Sequence, residues 1–338
     1  MRCVRAVAVI KPSAFASLLS GDGLPWTMTS SDGLRTAQAM TMMAGVLWGT
    51  SFVSIQWGLD DGFHPMVFLA VRMLIAFASA LLVARLLGGV DAWLLRDPWV
   101  WALGLSNTGG FVAQYFALDM SGATKVALIT NLSLIFVAPM SYLWLRERFT
   151  PLKVGALLSV IPGVFLLTTG GDLEAIKDPE FLGDMLALVA GLSWAFYIII
   201  SKRVLEDERV NVSSLTLWVM GTTAVFAVPL GMTVLAMGGA SIAEVGNVGW
   251  ATALYTGVVC STGAYMLWTR GLRGVTATVS AILLLVMVIV AAMMDYVFLG
   301  TEIGVVAWAG AGILLVAMVL VNLESDVDKG ENRPPGVD

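Results

Sequence analysis

The chain has 338 residues, of which 58% are hydrophobic and 13% are charged, and its net charge is −5 at neutral pH. Soluble domains carry about 25% charged residues, so this composition excludes an ordinary soluble protein and indicates one that crosses a membrane several times. Two cysteines, Cys3 and Cys260, are too few for a disulfide framework. The single histidine, His64, limits histidine chemistry to one position.

Ten apolar segments follow a basic N-terminal stretch, and each can cross the ~30 Å hydrocarbon core of a bilayer as a helix. They are predicted at 38–57, 65–87, 98–118, 123–145, 152–170, 181–201, 212–236, 249–269, 275–299 and 303–323. Residues 1–35 are predicted to form a disordered cytoplasmic tail. The alternatives are that these residues include a targeting segment, or that translation begins at Met28. Residues 324–338 are polar and predicted to be disordered.

The basic residues predict the orientation of these segments. With the N-terminus inside, the inner tails and loops collect 16 of the 19 lysine and arginine residues. The outer loops receive only Lys125 and Lys177, and Arg72 lies within a span. This positive-inside bias predicts a multi-pass protein of the cytoplasmic membrane with both termini in the cytoplasm.

The second half of the chain resembles the first half. Gly45-Val-Leu-Trp48 lies in the first segment, and Gly191-Leu-Ser-Trp194 lies in the sixth. Ser121-Gly-Ala-Thr124 opens the fourth segment, and Arg273-Gly-Val-Thr276 opens the ninth. Each half therefore holds five spans, and because five is odd the second half enters the bilayer from the opposite side. We expect an all-α integral membrane fold built from two inverted five-helix repeats, at 38–170 and 181–323.

Four motifs, in the expected spans and order, resemble the EamA-type transporters of the drug/metabolite transporter superfamily. They are Trp48-Gly-Thr-Ser-Phe52, Ala70-Val-Arg-Met-Leu74, Leu145-Arg-Glu-Arg148 with Thr150-Pro151, and Gly183-Asp-Met-Leu-Ala-Leu-Val-Ala-Gly-Leu-Ser-Trp194. The resemblance covers 38–323 and implies ten helices around a central cavity. It also implies alternating-access transport of small metabolites, with amino acids or related organic solutes as the first expectation and export favoured over import.

The sequence departs from this family at two places. The family often has Leu-Glu-Pro in its fourth and ninth spans, where this chain has Leu132-Ser-Leu134 and Val286-Met-Val288. The glutamates that could couple transport to protons are therefore missing from both places.

Other functions remain as alternatives. The main one is a multidrug efflux carrier; an intramembrane enzyme, a lipid scramblase and a non-transporting receptor are less favoured. The chain has no nucleotide-binding loop, nucleophile elbow or paired zinc motif. No enzymatic activity, cofactor, metal or nucleic-acid partner is therefore predicted. The expected partners are a small-molecule substrate and the lipid bilayer, with the protein a monomer or homodimer.

Nine residues within the spans are candidates for the substrate cavity, because each places a polar or mid-span aromatic side chain in an apolar helix. They are Trp48, Ser51, Arg72, Asn107, Gln114, Asn131, Trp194, Tyr197 and Tyr265. For the amides, hydrogen bonding between packed helices is the alternative role. For the two tryptophans, packing is the alternative, and the repeat predicts that they face each other across the cavity.

Arg72 is the most informative candidate because a charge inside a bilayer is costly and usually faces a cavity or a partner. Asp295 lies at a similar predicted depth near the outer end of the ninth span. We therefore expect Arg72 and Asp295 to pair as an outer gate. The alternatives for Arg72 are contact with substrate and a purely structural ion pair or carbonyl cap.

Overall fold

The computed structural model describes residues 31–87, 90–121, 126, 129–131, 133–174, 181–299 and 304–331. The described part of the first half includes five α-helices. They are α1 (Ser31–Asp60), α2 (Pro65–Leu87), α3 (Pro98–Ser121), α4 (Ser133–Leu145) and α5 (Pro151–Thr169). A short 3₁₀ helix, Ala92–Arg96, connects α2 to α3.

The second half begins with α6 and α7 and then becomes less regular. Its α-helices are α6 (Phe181–Val204), α7 (Val212–Ala236), α8 (Asn247–Tyr255), α9 (Ala264–Gly274), α10 (Ala277–Leu283), α11 (Val286–Met294) and α12 (Val305–Glu331). Two π-helical segments, Thr256–Gly263 and Asp295–Leu299, follow α8 and α11, and a 3₁₀ turn, Ile242–Glu244, precedes α8.

Within the described ranges the fold is all-helical, and several helices are suited to a bilayer. Four helical stretches have the length and apolar composition to cross it: Pro65–Leu87, Leu182–Val204, Val212–Ala236 and Ala277–Phe298. The last of them runs through α10, α11 and most of the following π-helical segment. Shorter apolar helices include Pro151–Leu167 and Val305–Leu320. Apolar side chains such as Leu82, Leu158 and Val316 remain exposed on the outer surface. This surface fits a membrane protein.

The helices differ from the predicted segments and tails at four places. The eighth and ninth segments, each expected as one helix, are interrupted by the π-helical segment Thr256–Gly263 and by a break at Leu284 and Leu285. At the N-terminus, α1 begins at Ser31 and so includes residues 31–35 of the tail predicted to be disordered. At the C-terminus, α12 continues to Glu331, beyond the predicted tail boundary at residue 324. Residues 1–30 of the predicted N-terminal tail and residues 332–338 lie outside the described part.

Capping residues explain several helix ends. Thr150 accepts a hydrogen bond from the backbone N–H three residues further on, and Pro151 occupies the first turn of α5. The same helix ends at Gly170, whose φ of +63° suits glycine. Asn211 Oδ1 caps α7 by accepting from the Ser213 N–H at 2.8 Å.

Two charged side chains fix the connection between α9 and α10. Glu147, just after α4, accepts a hydrogen bond from the N–H of Ala277 at the start of α10. Lys202, at the end of α6, donates to the carbonyls of Leu272 (2.7 Å) and Val275 (2.6 Å). Each charge complements the helix dipole that it meets. The end of the eighth span and the start of the ninth are thereby tied to α6 and α4.

The helices pack in well-defined pairs that place a cavity between the two halves. The pair α2 and α7 and the pair α5 and α12 each join one helix from each half. Helix α3 packs on both α6 and α7. Helix α1 packs on α9 and α11, α4 packs on α6, and α2 packs on the π-helical segment Thr256–Gly263.

Candidate functional site

A cavity of about 120 Å³ lies between the two halves, and its wall is mainly apolar and aromatic. Its lining comes from both halves. The lining residues are Trp48, Ser51, Phe52, Ile55, Arg72, Phe111, Gln114, Thr130, Asn131, Ser133, Leu134, Trp194, Tyr197, Ile198, Tyr265, Trp268, Ala281, Leu284, Leu285 and Met287. Among these described residues Arg72 alone carries a charge. Eight of the nine candidates lie on this wall; Asn107 does not.

Aromatic rings form a continuous band around the cavity. The Trp48 ring lies edge-on to Tyr265, with centroids 5.1 Å apart, and Tyr265 lies 5.8 Å from Tyr197. Tyr197 in turn lies 6.3 Å from Trp194, which contacts Phe111 at 4.9 Å. Trp48 and Trp194, the matched tryptophans of the two halves, are thus connected through rings of α6 and α9. The band offers a broad apolar surface to a solute.

The π-helical segment Thr256–Gly263 lies where α1 and α2 meet the second half. Trp48 Nε1 donates to the Cys260 carbonyl at 2.8 Å, and Arg72 Nε donates to Ser261 Oγ at 3.0 Å. A π-helix changes the backbone hydrogen-bond pattern and is frequent at functional sites. The irregular turn therefore positions both Trp48 and Arg72 at the cavity.

Arg72 is almost fully buried, with 1% of its surface exposed, and its described contacts are neutral. Besides Ser261, its Nη1 lies 3.4 Å from the hydroxyl of Tyr115, and its guanidinium lies 4.7 Å from the ring centroid of Phe111. No described carboxylate lies within ion-pair distance of it. The guanidinium is held in place at the cavity wall by two hydroxyls and a ring.

The backbone of Asp295 begins the π-helical segment Asp295–Leu299. Its side chain lies outside the described part of the structure. The pairing of Arg72 with Asp295 as an outer gate therefore stays a prediction.

The polar candidates on the wall differ in how their hydrogen bonds are used. Ser51 Oγ donates to the Trp48 carbonyl at 2.6 Å, so this hydroxyl is engaged within its own helix. Thr130 Oγ1 is buried and has no hydrogen-bond partner among the described residues. Gln114 and Asn131 also lie on the wall and are mostly buried. Thr130 is the clearest polar group with capacity to bind a solute.

Asn107 lies one layer behind the wall. Its Oδ1 accepts a hydrogen bond from the Tyr265 hydroxyl at 2.6 Å, and its Nδ2 donates to Thr223 Oγ1 at 3.0 Å. These bonds connect α3 with α9 and α7. Asn107 thus holds the Tyr265 ring in position on the cavity wall.

Three residues of the site carry no distinctive signal in the sequence. Phe111 and Trp268 are ordinary apolar residues of their spans, and only the fold shows that their rings face the cavity. Ser261 contacts Arg72 because the backbone around it is π-helical, which a regular helical pattern does not predict. Pairs far apart in sequence cannot be deduced from spacing along one helix.

Comparison with known proteins identifies the family. The EamA-like transporter family matches the chain twice, at 35–169 and at 181–323. An uncharacterised transporter of Archaeoglobus fulgidus is 27% identical over 264 residues, covering 72% of this chain and 81% of the relative. The uncharacterised transporter YwfM of Bacillus subtilis is 24% identical over 298 residues, covering 83% and 92%.

Two further similarities concern function and fold. A probable amino-acid metabolite efflux pump of Escherichia coli is 27% identical over 197 residues, covering 56% of this chain and 60% of the pump. A crystal structure of another protein superposes with a TM-score of 0.72 at 18% identity, over 86% of this chain and 98% of the other, which shows a shared fold.

The apolar helices and the cavity between two related halves define a membrane transport protein. The chain belongs to the EamA-like transporter family, because that family matches most of its length in two copies. This confirms the resemblance drawn from the four sequence motifs.

Proposed function

We propose that this protein is a secondary transporter that carries small organic solutes, amino acids or related compounds, by alternating access. The observation that carries the proposal is the position of the cavity, which lies between two halves that match the same family. Secondary transporters with repeated halves bind substrate at such an interface near the membrane midplane. The nine candidates, with Asn107 behind the wall, form the proposed substrate site.

The packing of the helices supports ten spans in two inverted repeats. We count α8, the following π-helical segment and α9 as the eighth span, α10 and α11 as the ninth, and α12 as the tenth. Span n of the first half then corresponds to span n+5 of the second half. Exchanging the halves then converts the α3–α6 contact into the α9–α1 contact, and the α4–α6 contact into the α11–α1 contact. The α2–α7 and α5–α12 pairs map onto themselves. A pseudo-two-fold axis through the cavity explains this pattern.

Direction and substrate are proposed from the relatives and from the wall. Relatives named probable amino-acid metabolite efflux pumps, in Escherichia coli and Salmonella typhimurium, favour export of amino-acid-like solutes. The described wall has no carboxylate to bind a cationic drug, which disfavours the multidrug alternative. A cytoplasmic-membrane location with both termini inside, and a monomer or homodimer, complete the proposal.

Solute exchange tests this function directly. A thermal-shift screen of the purified protein against amino acids and related metabolites should identify ligands, since a ligand at 100 times its Kd stabilises by about 2.7 kcal/mol. Proteoliposomes preloaded with such a ligand should then accumulate the labelled compound by counterflow. Protein-free liposomes are the control. Ligand binding without any counterflow would contradict a carrier and favour a receptor.

A further inference from the structure

We propose that the cavity binds a carboxylate at Arg72, and that the transported solute is an organic anion with one carboxylate and a compact apolar body. The proposal rests on the transport function proposed above and specifies its substrate class. Three features of the described wall support it: a guanidinium with no described carboxylate within ion-pair distance, a hydroxyl with no hydrogen-bond partner among the described residues, and an aromatic band.

The guanidinium of Arg72 has more N–H donors than described acceptors. A guanidinium has five N–H donors in a planar fork. Only Nε and Nη1 have described acceptors, the Ser261 and Tyr115 hydroxyls. Because a buried charge is costly without an opposite charge, a carboxylate ligand would complete this site. It could accept two parallel N–H bonds, the geometry in which arginine recognises carboxylates.

The hydroxyl of Thr130 is a second polar group on the cavity wall that can bind a carboxylate. Its side chain lines the same cavity, is 7% exposed, and its Oγ1 has no hydrogen-bond partner among the described residues. Gln114 lies on the wall one helical turn after Phe111, the ring that contacts the guanidinium. A hydroxyl and an amide can both donate to carboxylate oxygens. Arg72, Thr130 and Gln114 therefore give the described wall three groups that can donate to a carboxylate.

The rest of the wall suits an apolar body of limited size. The rings of Trp48, Trp194, Tyr197 and Tyr265 surround the cavity. Its volume of about 120 Å³ is close to that of an engineered apolar cavity of about 150 Å³ that binds benzene. The described wall offers no carboxylate to an ammonium group, so an anion should bind better than a zwitterion, and a zwitterion better than a cation.

Four compounds with the same branched body test this order. They are 4-methylpentanoate, leucine, 4-methylpentanamide and 3-methylbutylamine, titrated into the purified full-length protein at pH 7.5 while tryptophan fluorescence is followed. The carboxylate should bind at least tenfold more tightly than the amide, a difference of about 1.4 kcal/mol. Leucine should be intermediate and the amine weakest. An amide that binds as tightly as the carboxylate, or an amine that binds best, overturns the proposal.

Variants assign the preference to Arg72. Arg72→Gln should reduce the carboxylate-to-amide affinity ratio to about one, while Arg72→Lys should keep part of it. Arg85→Gln, an exposed arginine on the same helix, is the matched control and should leave the ratio unchanged. Thr130→Val should weaken carboxylate binding about threefold. A full preference retained in Arg72→Gln refutes the site. If that variant does not fold, the wild-type order and Thr130→Val decide.

Counterflow separates this proposal from the proposed function. Accumulation of leucine or the amide, with no binding or exchange of the carboxylate, would refute the anion site and leave the carrier intact. Binding of the carboxylate lost in Arg72→Gln, with no exchange of any of the four compounds, would support the site and refute the carrier.

Discussion

Trp48→Ala should abolish solute exchange and lower the stability of the folded protein by about 3 kcal/mol, within the range for removing a large aromatic side chain. The substitution removes the first ring of the aromatic band and its edge contact with Tyr265. It also removes the N–H that donates to the Cys260 carbonyl in the π-helical segment. Exchange should therefore fall far more than folded yield. Equal losses would mean that the indole serves packing alone.

Phenylalanine variants separate the ring from its N–H. Trp48→Phe keeps a ring but leaves the Cys260 carbonyl without this donor, so we expect a loss of about 1–2 kcal/mol. The indole N–H of Trp194 has no hydrogen bond in the described structure, so Trp194→Phe should lose less. Apparent melting temperatures in detergent measure both. The reverse order would show that the π-helical turn does not depend on Trp48.

Gly310→Ala should destabilise the protein by about 3 kcal/mol, at the upper end of the range for overpacking. A Cβ at this position would overlap the backbone nitrogen of Leu167 and would lie 2.7 Å from the Gly163 carbonyl oxygen. These are backbone atoms and cannot rotate away, so α12 must move off α5. Since α12 packs on α5 at this position, we expect a large fall in the apparent melting temperature and in folded yield.

Gly312→Ala provides the matched control on the same helix. A Cβ there meets nothing within 4 Å, so the change should stay within about 0.5 kcal/mol. Comparable destabilisation by the two variants would contradict the described packing of α5 against α12.

The matched tryptophans show what the sequence could predict. Trp48 and Trp194 each follow a glycine by three residues in the middle of an apolar span, which predicts a matched pair, and the fold places both on the cavity wall. Arg72 is predicted as a functional residue because a charge within a bilayer is costly. The spacing of a tryptophan from a glycine and the presence of a charge in an apolar segment are both properties of a single helix in a bilayer. They can therefore be recognised from the sequence.

Asn107 and Ser261 show where that reasoning ends. Asn107 shares a helix face with Gln114, yet Gln114 lines the cavity while Asn107 supports Tyr265 from behind. Helical spacing gives a face and not a depth in the protein. Ser261 reaches Arg72 through an irregular turn. The partners of a buried charge depend on tertiary packing, which periodicity does not encode.

The two sites at which the sequence departs from the family's Leu-Glu-Pro motif both lie at the cavity. Ser133 and Met287 are the middle residues of the two tripeptides that stand where the family often has Leu-Glu-Pro, and both line the cavity. The described wall therefore has one arginine and no carboxylate. A proton-coupled mechanism based on those two glutamates is not available to this chain.

Two-sided labelling tests alternating access most directly. Ser51→Cys, in a background with Cys3→Ser and Cys260→Ala, places a single thiol on the cavity wall. Asp172→Cys and Glu208→Cys are exposed reference positions, predicted to label from outside and from inside respectively. A membrane-impermeant thiosulfonate reagent should modify the cysteine at position 51 in both right-side-out and inside-out vesicles. Modification from one side only, with both references labelled as expected, would contradict a carrier and indicate a pocket with one fixed opening.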